Sequence, residues 1–261
     1  MLARVGRHEE ALTAAEEAVA RHRELVAGNG GGLSHLASAL NIYGNRLDAV
    51  DRRAEARTVL AEAVRLYRQL TADNRAGELP WLAQAVSNYA LVLDDPAAAV
   101  EAGQEAADLR REQLARDRPA HLTALADSLR NLAGQLRRAG RSEDALAVAP
   151  ELLDLRREFA ARNPGAGRGG LGADLLMVAG WLTLAGRLDE GLALGEEAVT
   201  VAREAYAADS ETHRGLLAEA LMDLSDRLEL VPGRNKDRWR RIRALAAQSV
   251  ALREGEEHHR A

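Results

Sequence analysis

The stretch LADSLRNLAGQLRRAGRSEDALAVAPELLDLRRE, residues 125–158, is one copy of a pattern that recurs along this chain of 261 residues. Successive copies end 45, 43, 46, 46 and 50 residues apart, at Glu24, Gln69, Glu112, Glu158, Glu204 and about Glu254. A nearly constant period is typical of repeat architectures, in which each copy packs on its neighbours. Because repeat arrays mostly build binding surfaces, the pattern favours an interaction protein over an enzyme.

Each copy divides into two helical patterns. At the start of the quoted region and just before it, leucines recur every three or four residues, at 122, 125, 129, 132 and 136, and therefore share one helix face. The first helix of each copy is predicted at residues 33–49, 79–93, 122–139, 171–185 and 215–230. The second helix is predicted at residues 7–27, 52–72, 97–116, 142–161, 188–208 and about 237–253.

Turn-forming residues separate the helices. Gly140 and Gly186 stand where a tight turn requires a positive φ, which glycine adopts without steric cost. Asp95 and Pro96 form a helix-start signal, with aspartate as the cap and proline in the first turn. Loops between copies are predicted at residues 29–32, 74–78, 117–119 and 163–170.

Composition excludes several classes of site. Hydrophobic residues make up 47% of the chain but aromatic residues only 3%, so the core must consist of Ala, Leu and Val, which suits close helix packing. The net charge of −5 does not favour binding to nucleic acid or to an anionic membrane. The absence of cysteine excludes disulfides and thiolate metal sites. With no apolar run of membrane-spanning length and no signal-peptide pattern, we expect a cytoplasmic protein.

The repeat resembles the tetratricopeptide repeat, as it occurs in the long-period arrays of kinesin light chains and actinobacterial regulatory proteins. The positions that carry the resemblance are Leu129, Leu132, Ala133, Leu136, Gly140 and Ala145. It implies an all-α, right-handed superhelical solenoid of antiparallel helix hairpins in one domain, residues 1–254. The expected parts are a half repeat at 1–27, repeats at 33–73, 79–116, 120–162, 171–208 and 212–254, and a disordered tail at 255–261.

The first helix is expected to lack a partner, because residues 1–27 match only the second half of a repeat. Its apolar stripe of Leu12, Ala15 and Val19 would then be covered on one side only. Two explanations stay open: the chain is part of a longer array or multidomain protein, or another subunit covers this helix.

Motifs of catalytic or cofactor sites fail in their context. Gly165, Gly167 and Gly170 match G-x-G-x-x-G, but they follow a helix and Pro164, so a flexible loop is expected. His8 and Glu9 match the beginning of an H-E-x-x-H motif, but Leu12 stands where the motif requires its second histidine. The basic segment around Trp239 and the tail residues Glu256, Glu257, His258 and His259 are interpreted as solvated surface. We therefore predict no catalytic residue, cofactor or metal site.

The resemblance places the first helices along a concave groove. The candidate groove residues are Asn45, Gln84, Asn88, Asn131, Met177, Trp181 and Asp223. An asparagine amide there donates to and accepts from a peptide backbone without reading its sequence. For Asn88 and Asn131 the alternative, bonding between neighbouring helices, stays open. A clamp for chaperone C-terminal carboxylates is rejected. The cations that such a clamp requires are absent, and Asp127 places a negative charge where the carboxylate would bind.

The wall is expected to change from polar to apolar to acidic along its length, the acidic part being Glu219, Asp223 and Asp226. The sequence thus predicts a non-catalytic interaction scaffold for a peptide or protein segment, without a nucleic-acid or membrane partner. The resemblance to actinobacterial arrays also implies that the chain is the sensing arm of a larger signalling protein; this expectation rests on the resemblance alone. A self-assembling module that associates through the uncovered first helix is the alternative.

Overall fold

The computed structural model describes the backbone of residues 2–29, 31–233 and 235–260, and the side chains of residues 9–28, 31–233 and 235–253. Within these residues the chain forms eleven α-helices, as the all-α prediction requires. Their bounds are α1 (Leu2–Asn29), α2 (Leu33–Ala49), α3 (Arg53–Asp73), α4 (Arg75–Val92), α5 (Pro96–Arg116), α6 (Arg118–Arg138), α7 (Ser142–Arg162), α8 (Pro164–Leu184), α9 (Leu188–Ala208), α10 (Ser210–Leu230) and α11 (Lys236–Arg260).

Even-numbered helices correspond to the first helices of the repeats and odd-numbered helices to the second helices. The chain divides into two compact units, residues 1–141 and 142–261. In the first unit each helix packs against the next, and α4 also contacts α2 and α6. In the second unit consecutive helices pack in the same way, and α8 also contacts α10. Helix hairpins stacked in this order are the solenoid architecture that the repeat predicts.

Small and aliphatic side chains fill both interiors. One cluster of the first unit joins α1 to α5 through residues such as Val19, Leu40 and Tyr67, and a second joins Leu12 to Leu60. In the second unit, Leu175, Ala198, Ala202 and Leu221 are among the fully buried residues. The many buried alanines allow the helix axes to approach closely, so an aromatic-poor chain still packs densely.

From α3 onward, a single residue joins each second helix to the following first helix. Asn74, Asp117 and Asp209 accept hydrogen bonds from the backbone N–H groups of Gly77, Ala120 and Thr212, at 3.1–3.2 Å. The fourth such link, Asn163, makes no side-chain cap bond. Helices α4, α6, α8 and α10 start four to seven residues earlier than predicted, and the expected loops at 74–78, 117–119 and 163–170 shrink to one residue.

The glycine-rich segment predicted as a flexible loop is the beginning of α8. A Cβ at Gly167 would lie 2.5 Å from the Cα of Ala160 on α7, and one at Gly172 would lie 3.0 Å from Leu216 on α10. The loop prediction is therefore wrong for a physical reason. The glycines remove side chains where α8 crosses its neighbours, and Pro164 starts the helix.

The tight turns match their predictions. Gly140 and Gly186 have φ of +75° and +77°, and Asp95 accepts from the backbone N–H groups of Ala97 and Ala98. No helix in the described part of the chain is both long and apolar enough to span a membrane.

The apolar stripe of α1 is covered, contrary to expectation. Leu12, Ala15 and Val19 are 9%, 7% and 3% exposed. Helices α2 and α3 suffice to cover them, since Leu12 packs with Leu47 and Leu60. The surface that α1 presents between residues 9 and 28 is mainly acidic and polar instead.

At the other end of the sequence, α11 continues to Arg260, through most of the stretch expected to be a tail. The side chains of 254–261, including Glu256, Glu257, His258 and His259, lie outside the described residues, as does that of His8. A disordered tail therefore stays a prediction.

Candidate interaction surfaces on the first helices

Hydrogen-bonded amides link two first helices of the first unit. Asn88 on α4 donates from Nδ2 to Oδ1 of Asn41 on α2, at 3.0 Å. Gln84, one turn earlier on α4, donates from Nε2 to Oδ1 of Asn88, also at 3.0 Å. Among the described residues, Asn88 thus bonds towards α2 rather than to Asn131 on α6.

A buried arginine anchors this row of amides. Arg110 on α5 is 8% exposed and donates to Oε1 of Gln84 and to Oε1 of Gln113, each at 3.0 Å. Burial lowers the pKa of Arg110 and the nearby Asp127 opposes that shift. A guanidinium stays protonated in proteins, so a positive charge lies beneath Gln84. We call Asn41, Gln84, Asn88, Arg110 and Gln113 the amide network.

The amide network has a direction. Each amide turns its carbonyl oxygen towards Arg110 and its NH2 group towards the next residue, from Gln84 to Asn88 to Asn41. Hydrogen bonds in such a chain polarise one another, which makes the outermost NH2 groups better donors. Each NH2 group also has a second hydrogen, because one amide nitrogen carries two.

Exposed apolar side chains lie beside these amides. Trp81, Gln84, Asn88 and Leu91 follow one another on α4 at spacings of three and four residues and share one face of the helix. Trp81 is 55% exposed and Leu91 40%, and Ile42 on the neighbouring α2 is 49% exposed. The face of α4 therefore combines a large aromatic surface with oriented hydrogen-bond donors.

The remaining first-unit candidates lie on α2 and α6. Asn45 is exposed near the end of α2, and Asn131 is half-buried on α6. Because α4 contacts both of these helices, Asn45 and Asn131 lie on the helices that flank the amide network.

The second-unit candidates differ in exposure. Met177 on α8 is half-buried, whereas Trp181 is only 9% exposed and contributes little surface. Leu184, the last residue of α8, is 78% exposed and is the most exposed large apolar residue described. The apolar surface of α8 is therefore formed by Met177 and Leu184 rather than by Trp181.

Asp223 is held in an ion pair. Arg227, one turn later on α10 and 4% exposed, donates to Asp223 and also to Oγ1 of Thr183 on α8 at 2.9 Å. Burial lowers the pKa of Arg227. The pair offsets the charge of Asp223, so the uncompensated acids on this face are the exposed Glu219 and Asp226.

Sequence reasoning missed two contributors to these surfaces. Arg110 occupies a buried position of α5, between Ala107 and Gln113, and a charged residue in an apolar stripe is the signal that could have revealed it. The partner of Asp223 was readable as well, since Arg227 follows four residues later on the same helix. The described residues contain no group of three or more side chains able to hold a metal ion.

No protein-family model and no curated protein matches the chain. Solved structures do match. The chain is similar to BtubC (BKLC) from P. vanneervenii, with 14% identity, a TM-score of 0.71, and coverage of 96% of this chain and 92% of that one. It is also similar to a Podosopora anserina protein of the kinesin light chain type with nearly identical TPR-like repeats. That match has 16% identity, a TM-score of 0.64, and coverage of 87% and 98%. At such low identity the likeness establishes architecture, and it agrees with the repeat pattern and the helix pairing: the chain has the tetratricopeptide-repeat fold.

Proposed function

We propose that the chain is a non-catalytic scaffold that binds a peptide or protein segment along the exposed faces of its first helices. The observation that carries the proposal is the face of α4, where Trp81 and Leu91 flank Gln84 and Asn88. An exposed tryptophan supplies a large contact area, and tryptophan is enriched among the residues that dominate binding energy. Oriented amides beside it fix the position of a ligand through hydrogen bonds.

The direction of the amide network supports a hydrogen-bond acceptor as its ligand. Gln84 and Asn88 each use one lone pair and one amide hydrogen within the network, and the polarisation that starts at Arg110 favours the remaining hydrogens as contacts for a ligand. The backbone carbonyls of an extended segment are such acceptors, and they occur whatever the side chains are. Binding through the amide network would therefore be tolerant of sequence, while Trp81 and Ile42 would select an apolar side chain.

The second unit supports a different preference. Its first helices expose Met177 and Leu184 on α8, and Glu219 and Asp226 on α10. A segment with one apolar anchor and a basic side chain near it would complement this face. A role as the sensing arm of a larger signalling protein rests on the resemblance of the repeats alone.

Peptide selection tests the first-unit surface. Peptides from a displayed random library are selected on the wild-type chain, and their affinities are then measured for Trp81→Ala and Asn88→Ala. We expect each substitution to weaken binding by about tenfold, as for a hot-spot contact. Leu25→Ala is the matched control, because Leu25 is 50% exposed but lies on a second helix, α1.

Selected peptides that bind Trp81→Ala and Asn88→Ala as tightly as wild type would contradict the first-unit proposal. Circular dichroism establishes that each variant is folded before its affinity is compared. In the second unit, Met177→Arg and Glu219→Arg are better tests than Asp223→Arg, because loss of Asp223 would leave the buried Arg227 without its carboxylate.

A further inference from the structure

A groove of about 700 Å³ lies between α1 and the turn from α2 to α3. Glu9, Leu12, Thr13 and Glu16 form its α1 side, and Ala49, Val50 and Arg52 form the opposite side. The four α1 residues stand at positions i, i+3, i+4 and i+7, so they share one helix face with an acid at each end. We call this feature the acidic groove.

The charge of the groove acids is offset in part by one cation, because Arg52 lies close enough to Glu16 for their charges to interact. Glu9 and Glu16 are exposed, and neither forms an ion pair within the described part of the chain. The one arginine that lines the groove, Arg52, is engaged with Glu55 through two hydrogen bonds of 2.6 and 2.7 Å. The negative charge of Glu16 also acts on the neighbouring Tyr43. Burial is the main cause that raises the pKa of Tyr43, and the Glu16 carboxylate is the next. The groove thus has two acids and Arg52 at its rim, and a small apolar floor formed by Val50 and the 9% of Leu12 that stays exposed.

Helix α11 carries the complementary pattern. Lys236, Trp239, Arg240 and Arg243 also stand at i, i+3, i+4 and i+7, and all four are exposed. Trp239 is 44% exposed, and among the described residues Arg240 pairs with Asp237 alone, in a contact where both side chains are at least 80% exposed. The end charges are seven residues apart, about 10 Å along a helix axis, which is also the separation of Glu9 and Glu16. We call these four residues the basic face.

The overall charges of the two helices agree with this match. Between residues 9 and 28, α1 has five glutamates and two arginines, and Arg23 is already paired with Glu62. Between residues 236 and 253, α11 has six basic residues and one acid, and only Arg241 among the basic ones reaches another helix, at Glu196. Opposite charges of this size favour encounter and fix register between two surfaces.

We propose that the acidic groove of one copy binds the basic face of a second copy. Trp239 would contact Leu12 and Val50, and Lys236 and Arg243 would pair with Glu9 and Glu16. A second copy is the occupant that the observations favour, because both surfaces occur on this chain in equal number and with the same helical spacing. The proposal does not depend on peptide binding by the first helices.

Charge reversal in two variants tests the proposal. The groove variant carries Glu9→Arg and Glu16→Arg, and the face variant carries Lys236→Glu and Arg243→Glu. Each variant places like charges opposite one another, so we expect its self-association to weaken at least tenfold relative to wild type. When the two variants are mixed, each groove again meets a face of opposite charge, and association should return.

Sedimentation velocity on the full chain measures the result over a range of concentration and salt. Wild type should exceed the monomer mass, increasingly at higher concentration and less in high salt. Asp73→Arg with Glu101→Arg makes the same change in net charge as the groove variant, at two exposed positions on other helices, and should associate like wild type. A monomeric wild type at every concentration would overturn the proposal, as would an oligomer that neither reversal weakens or a mixture that does not restore association.

Discussion

Gln135 is a buried polar residue without a hydrogen-bond partner. It lies on α6, is 2% exposed, and neither Oε1 nor Nε2 has a partner. Its amide occupies space that a side chain at Gly103 on α5 would otherwise fill. Burying an unpaired amide costs about 1–3 kcal/mol. Gln113, equally buried, also has an Nε2 without a partner but differs in that its Oε1 accepts from Arg110.

These two glutamines should respond in opposite ways to the same substitution. Gln135→Met keeps the shape of the side chain and removes two unpaired polar atoms, so we expect the free energy of unfolding to rise by about 1–2 kcal/mol. Gln113→Met removes an acceptor of a buried guanidinium, so we expect a loss of about 1–3 kcal/mol. Urea unfolding of both variants measures the difference. Equal effects of the same sign would show that the hydrogen-bond contrast is not what distinguishes them.

Single positions also show how far the sequence predicts the surface. Helical spacing alone placed Gln84 and Asn88 on one face of α4, because periodicity determines which residues share a face. It could not reveal that Arg110 reaches Gln84. These residues are 26 positions apart in the sequence, and their contact depends on how α4 and α5 pack. For Asn88 the structure shows a bond between helices, yet its second amide hydrogen leaves ligand binding open as a prediction.

Helices α7 and α8 are joined by a buried ion pair. Arg156 donates from Nε to Oδ2 of Asp174 at 2.7 Å, and the two side chains are 9% and 1% exposed. Desolvating both charges offsets most of their attraction, so the pair adds little net stability compared with apolar residues. Loss of one partner is a different matter, because the other charge stays buried without the opposite charge that it pairs with here.

We therefore expect Asp174→Asn to lower the free energy of unfolding by about 3–5 kcal/mol. Replacing both partners, Arg156→Met with Asp174→Leu, should recover most of that loss. Glu190→Gln is the matched control, because its pair with Arg187 is exposed and should matter little. Chemical denaturation compares the three. If the double replacement is as unstable as Asp174→Asn, the loss does not come from the stranded arginine.

Helix existence was predictable and helix starts were not. The leucine spacing correctly predicted each first helix, because a buried stripe requires that period. The starts of α4, α6, α8 and α10 were missed because three or more residues with weak apolar periodicity precede each stripe. The recurring Asn or Asp at 74, 117, 163 and 209 was the available signal, since these residues favour the cap position.

Across both units, arginine–carboxylate pairs connect successive second helices. Arg23–Glu62 and Arg68–Glu105 do so in the first unit, at 2.6 and 2.7 Å, and Arg157–Glu197 in the second, at 2.8 Å. All are partly exposed, so each contributes little by itself. Because the spacing of the pairs follows the repeat, they favour one register of neighbouring hairpins over a shifted one.

The same kind of contact makes the stability of the whole molecule depend on pH. Hydrogen bonds from Arg52, Arg75 and Arg187 hold the pKa values of Glu55, Glu112 and Glu190 below the ordinary value of about 4.3. A carboxyl group with a lowered pKa in the folded state stabilises the fold above its ordinary pKa. That contribution is lost as the pH falls towards the lowered value, because the unfolded chain then binds protons first.

Buried tyrosines have the opposite effect at high pH. Burial raises the pKa of Tyr67, which is 2% exposed, and of Tyr43 above the ordinary value of about 10. Their contribution is present below pH 10 and is lost as the pH rises past it, because the unfolded chain then releases protons first. From these groups we expect the free energy of unfolding to fall below about pH 4 and above about pH 10.

Urea unfolding at a series of pH values measures both slopes, and one substitution isolates each. Glu112→Gln keeps a hydrogen-bond acceptor for Arg75 but cannot titrate, so the fall on the acid side should become shallower while the alkaline side is unchanged. Tyr67→Phe should flatten the alkaline side alone. High salt should also flatten the acid side, since the arginine–carboxylate pairs are exposed to screening. An acid slope that neither Glu112→Gln nor salt reduces would mean that groups other than these paired carboxylates control the acid stability of the molecule.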